Sequence, residues 1–102
     1  MKIPERFKEY RCREYFYSDR FNRGFYDEKA QNWTFLTAAT VVERPELGFL
    51  VVGGPGCDGL EWGYRKGHMG LWVYYPIEQE FRLLTSTLVE LFDGWHSGRI
   101  TV

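Results

Sequence analysis

At 102 residues, with 44% hydrophobic and 19% aromatic side chains, the chain is sized for a single domain over residues 1–102, and its composition excludes disorder. A formal net charge of −1 excludes a global pull toward nucleic acid or an anionic membrane surface. No apolar run approaches the roughly twenty residues a membrane-spanning helix needs, and the opening MKIPERFKEYR reaches charge too early for a signal peptide, so a cytoplasmic setting without membrane association is expected.

In chain order, residues 1–20 leave two readings open. Phe7, Tyr10 and Tyr17 fit a loose helical stripe, whereas Tyr10, Cys12 and their neighbours also fit a strand. Residues 18–32 read as an irregular polar connection anchored by Phe21, Phe25 and Tyr26. From Trp33 to Val42 the β-branched and aromatic content predicts one strand, ended by the charged, proline-containing stretch Glu43–Glu46. Phe49–Val52 predicts a second strand, fully apolar, and GGPG at positions 53–56 stops it.

Two clearer strands follow. In Leu60–Tyr64, Leu60, Trp62 and Tyr64 share a face. The turn Lys66–Gly70 leads into Leu71–Tyr75, where Leu71, Val73 and Tyr75 alternate with Trp72 and Tyr74. A strand apolar on both faces is either central or presents one aromatic face to a partner. Pro76 ends it, and Glu80–Leu84 predicts a further short strand.

The most strongly signalled element is a helix over Leu88–Trp95. Thr87 and Glu90 have capping-box spacing, with Ser86 as an alternative cap, and Leu88, Leu91, Phe92 and Trp95 form one apolar stripe. Gly98 is a stop signal, and Arg99–Val102 reads as a returning edge strand that could pair with a second copy and so support a homo-oligomer. The order of elements gives an α+β class, with a single antiparallel sheet and helices packed on one side.

The inventory of reactive groups is thin. Cys12 and Cys57 lack a CxxC pattern, and both are expected as free thiols. The loop Gly53–Gly59 lacks the Lys-Ser/Thr ending of a phosphate-binding loop and is followed by a strand, so it reads as a turn. Cys57, Asp58, Glu61 and His68 are the densest set of potential metal ligands, but without paired spacing they predict no metal site. His68 and His96 are the available imidazoles, and a Cys57–His68 pair has no orienting third group in view. No catalytic residue and no cofactor is expected.

Two surfaces could bind partners. Tyr10, Arg11, Arg13, Tyr15 and Tyr17 interleave bases with rings, as single-stranded nucleic-acid binders do. Glu9 and Glu14 cancel much of that charge, so a segment that covers the sheet is the favoured reading. The acidic residues Asp58, Glu61, Glu78 and Glu80 flank the central strands and would complement a basic partner.

The succession FLVVGGPGCDGLEWGYR, GLWVYYPIEQEF and LTSTLVELFDGW resembles the C-terminal half of SUKH-superfamily domains. It carries an apolar strand, a D-G-x-E-W-G-Y-R strand, a W-x-Y-Y-P strand and a helix ending in tryptophan and glycine. The resemblance spans about half the chain; residues 1–32 hold Pro4 and a lone Gly24 where the family has an N-G-G turn. It implies an α+β fold, no shared catalytic residues, and a role in protein binding, in bacteria often as an immunity protein that neutralises a polymorphic toxin, otherwise as an adaptor. The expected interface comprises Asp58, Glu61, Trp62, Tyr64, Trp72 and Tyr74, with single-stranded nucleic-acid binding through the N-terminal segment as the alternative.

Overall fold

The computed structural model describes residues 2–102. Seven strands form one antiparallel sheet: β1 (Phe25–Asp27), β2 (Asn32–Phe35), β3 (Val42–Arg44), β4 (Phe49–Gly53), β5 (Glu61–Arg65), β6 (Leu71–Tyr75) and β7 (Glu80–Thr85). The strand order is β1-β2-β4-β5-β6-β7, with β3 also paired to β4. The α+β class expected from the pattern of elements is the class observed.

The N-terminal segment takes the helical alternative in three short pieces. A 3-10 turn spans Glu5–Tyr10, Arg11 reverses the chain with a left-handed φ of 56°, and α1 (Arg13–Phe16) and α2 (Asp19–Asn22) follow. Phe7, Tyr10, Tyr15, Phe16 and Phe21 point inward from these pieces. Residues 18–32 are therefore more ordered than a polar connection: they contain α2, β1 and a tight hairpin. Asp27 Oδ1 closes that hairpin by accepting the N–H groups of Lys29 and Ala30, a local bond that competes well with extended backbone.

The single strand expected over Trp33–Val42 is two strands. β2 leaves β4 after Leu36, whose N–H donates to Val52 O at 2.7 Å. A 3-10 turn at Ala38–Thr40 carries the chain away, and β3 then returns to the same edge of β4, pairing Val42 with Val51 and Arg44 with Phe49. Thr40 explains the break: its N–H and its hydroxyl both donate to Thr37 O, so β-branched residues with good strand propensity are used to close a turn.

β4 through β7 form a meander of successive antiparallel neighbours. At its hinge with β2, Gly53 is obligatory, because a Cβ there would lie 1.9 Å from Thr34 O. The Gly53–Gly59 loop is accordingly a structural junction, with Asn32 Nδ2 donating to Gly54 O at 2.8 Å.

α3 (Leu88–His96) matches its sequence signals. Thr87 Oγ1 accepts the N–H of Glu90 at 3.1 Å. A second cap comes from far away in sequence: the Glu14 carboxylate accepts the N–H of Leu88 at 2.6 Å and that of Val89 at 3.3 Å. Anionic oxygen at a helix N-terminus satisfies orphan donors and complements the dipole.

The tail after Gly98 is not a strand. Ile100 instead folds back, its N–H donating to Gly94 O at 3.0 Å. The edge that suggested a homo-oligomer is thus absent at Arg99–Val102, and the outer strands of the sheet are β1 and β7.

One core fills the space between the sheet and the helices, joining Phe7, Tyr10, Tyr15, Phe16 and Phe21 to Leu50, Val52, Trp62, Tyr64, Leu71 and Val73, and to Leu88 and Leu91 of α3. Helical residues from both ends of the chain belong to this one cluster, which places the helices on a single side of the sheet. No helix among the described residues is long and apolar enough to cross a membrane.

Candidate functional site

Strand periodicity sends alternate residues to the opposite face, and that face carries no helix. Register defines its occupants. Phe49 pairs with Arg65, Gly63 with Trp72, Trp72 with Leu83, and Tyr74 with both Glu61 and Phe81. Phe49 is fully buried yet lies outside the main core. It is covered by its own face: the Phe81 ring packs edge-on at 5.0 Å and the Tyr74 ring lies 6.3 Å away, with Tyr74 and Phe81 themselves 4.7 Å apart. Leu83, beside this cluster, is 57% exposed.

Two arginines sit on this face in contrasting states. Arg44 makes a two-pronged ion pair with Glu61, Nε to Oε1 at 3.0 Å and Nη2 to Oε2 at 2.6 Å. That hydrogen bond raises the Arg44 pKa above its ordinary value. Arg65 lies over two rings, its guanidinium carbon 4.6 Å from the centre of Trp72 and 4.2 Å from that of Phe81. Burial lowers its pKa. Trp72 is held from the other end, its indole N–H donating to Met69 O at 3.0 Å, with the His68 ring 5.6 Å away.

No protein-family model matches this chain, and no curated protein or solved structure matches it.

The structure divides the six residues expected to form an interface. Trp72 and Tyr74 stand on the open face, half-buried. Glu61 is there too, but its carboxylate is engaged by Arg44. Asp58 is exposed on the Gly53–Gly59 loop, with a left-handed φ of 56°, where it lines an open cavity of about 590 Å³ together with Trp33, Val42, Cys57 and Glu61.

Trp62 and Tyr64 are corrected: they belong to the core. Trp62 is fully buried, its indole N–H donates to Thr34 O at 2.9 Å, and the Trp95 ring packs edge-on at 5.2 Å. Tyr64 is 3% exposed, and its hydroxyl is buried without a hydrogen-bond partner among the described residues. Burial is the main cause of its raised pKa. The reason is register. Trp62 pairs with Val73 and Gly63 with Trp72, so neighbouring strands send their tryptophans to opposite faces.

The N-terminal basic–aromatic cluster is corrected as well. Tyr10 and Tyr15 are fully buried; the Tyr10 hydroxyl donates to Glu43 Oε2 at 2.8 Å, and that of Tyr15 to Leu36 O. Neither ring can stack on a base. Arg11, Arg13 and Tyr17 are exposed, with Arg13 lying 5.1 Å over the Tyr17 ring. Glu14, which sequence treats as a cancelling charge, is the tertiary cap of α3.

Among the described residues, no three of His, Cys, Asp and Glu come together as a group able to hold a metal ion. Sequence reasoning missed Phe49, Arg65, Phe81 and Leu83. For Phe81 and Leu83 the signal was present: they alternate with Glu80 and Arg82, and the neighbouring β6 is apolar on both faces.

Proposed function

We propose that this chain is a non-catalytic protein-binding domain of SUKH type, whose partner docks on the open face of the sheet. The observation that carries the reading is the helix-free face itself, where Trp72, Tyr74, Phe81 and Leu83 form a joined aromatic and aliphatic surface. Large rings with an exposed leucine beside them have the composition of binding hot spots. The resemblance to SUKH domains supports the same role and refines it to an immunity protein that neutralises a toxin, or to an adaptor, acting in a cytoplasmic setting that keeps both thiols reduced.

The test is capture of the tagged chain from its native host, with nucleic acid digested in a parallel sample, beside a Leu83→Asp variant shown to be folded by its melting curve. One stoichiometric protein, retained after digestion and lost with Leu83→Asp, is the expected result. Recovery of nuclease-sensitive material alone, or a partner indifferent to Leu83→Asp, overturns the reading.

A further inference from the structure

Arg65 is the one feature of the open face whose chemistry is left incomplete within the chain. It is half-buried, while among the described residues none of the ion pairs includes it and no side chain or backbone carbonyl takes its N–H donors. Arginines such as Arg11 and Arg13 are exposed, so water satisfies them. Arg65 is instead desolvated against Trp72 and Phe81, and burial disfavours its charged form. Arg44, on the same face, shows what such a group takes when it is available: a carboxylate held at both oxygens.

We propose that the protein partner presents an aspartate or glutamate to Arg65, flanked by apolar side chains that cover Leu83 and Met69. This deepens the open-face reading and rests on it. Charge complementarity carries the assignment. Glu61, an acid of this face, is already matched by Arg44, whereas Arg65 enters none of the ion pairs among the described residues. The partner surface is therefore acidic and apolar, the opposite sign from that suggested by Asp58 and Glu61 in the sequence. Met69 at 73% exposure and Leu83 at 57% supply the apolar margin that excludes water from such a pair. Bases of a single strand would need free ring faces to stack on. Here Arg65 lies over both Trp72 and Phe81, and Phe81 is further occupied by Phe49 and Tyr74.

The test is selection of short random displayed peptides on the full chain, followed by anisotropy titration of the enriched peptides and of a thymidine oligonucleotide. Arg65→Met keeps the aliphatic packing over the rings and removes the charge; Arg65→Lys keeps the charge and removes the fork. The expected peptides carry Asp or Glu beside apolar residues. Their affinity drops about tenfold or more with Arg65→Met, and equally when the peptide acid becomes its amide, with little further loss when both changes are combined. Should Arg65→Met fail to fold, Arg65→Lys and the amide peptide still read the contact. Peptides that need Leu83 but are indifferent to Arg65 and to their own acids overturn this proposal and leave the binding face standing. Selection of no peptide sensitive to Leu83→Asp overturns both. Salt-sensitive, Arg65-dependent binding of the oligonucleotide overturns the protein carboxylate in favour of a nucleic-acid phosphate.

Discussion

The Glu14 carboxylate accepts the backbone N–H of Leu88 at 2.6 Å, across 74 positions of sequence. This bond ties the N-terminal helical pieces to the first turn of α3, where Thr87 already serves one donor. Glu14→Ala removes the acceptor from two N–H groups at once and is expected to cost about 1–2 kcal/mol, in the range of a lost helix cap. Glu14→Gln keeps one acceptor oxygen and should cost less. Urea unfolding of the three proteins checks this; equal stability for Glu14→Ala and the parent would show that the cap carries no weight.

Gly94 and Ile100 form a second test pair. Glycine inside a helix ordinarily loses about 0.5–1 kcal/mol to alanine, yet a Cβ at Gly94 would fall 2.4 Å from Ile100 Cδ1. Gly94→Ala in the parent is expected to destabilise by displacing Ile100 and the tail. In an Ile100→Ala background the same change should stabilise by about 0.5–1 kcal/mol. The reversal of sign is the readout, and identical effects in both backgrounds would rule out the contact.

The two tryptophans of the central strands separate core from surface. Trp62→Ala opens a cavity and removes the indole donor from Thr34 O, which keeps the Gly54 N–H, at an expected cost of about 3–5 kcal/mol. Trp72→Ala, on the open face, should cost about 1 kcal/mol in stability while removing partner binding. Denaturation midpoints and a pull-down on the same pair of variants decide the assignment, which fails if Trp72→Ala is the more damaging to the fold.

Cys12 makes stability fall in alkali. Burial raises its thiol to about 11 from an ordinary 9.0. Above pH 9 the unfolded thiol releases its proton while the folded one holds it, so the unfolded state binds fewer protons and stability declines as pH rises from about 9 to about 11. Tyr10, Tyr15 and Tyr64, all raised chiefly by burial, add the same sign at higher pH. Cys12→Ala should flatten the first part of that decline, read as urea midpoints across the window; a slope as steep as the parent's would clear Cys12 of the effect.

Accessibility of the thiols gives an independent check. Cys57 is exposed and Cys12 is 1% exposed with its Sγ against Phe7 O. Alkylation at about pH 8 should modify Cys57 in the folded chain and Cys12 only after denaturation. Equal labelling of both in the native protein would contradict the packing of the Glu5–Tyr10 turn.

Most of the second half of the fold was legible because its signals are local. The α3 stripe and Thr87 cap, the β6 alternation and the stop at Pro76 each depend on neighbours within a few residues. The first half was harder, because tertiary partners decide it: Tyr15 is inside because its hydroxyl reaches Leu36 O, and Thr40 turns the chain where propensity favours extension. The candidate site was half legible. Trp72 and Trp62 look alike in sequence, and only the pairing of Trp62 with Val73 assigns them to opposite faces. Arg65 carries no local signal at all, since its meaning comes from two rings on other strands.

The order of the strands also shapes how the chain is made. β4 to β7 each pair with the next, so the sheet can zip up hairpin by hairpin as it leaves the ribosome. Phe7, Tyr10, Tyr15 and Phe16 are synthesised well before Leu88 and Leu91, yet they share one cluster with them. A fragment ending before α3 therefore leaves this aromatic segment without the part of its cover that Leu88 and Leu91 supply. Exposed aromatic surface of that kind favours aggregation, so docking of α3 is the step that closes the cluster.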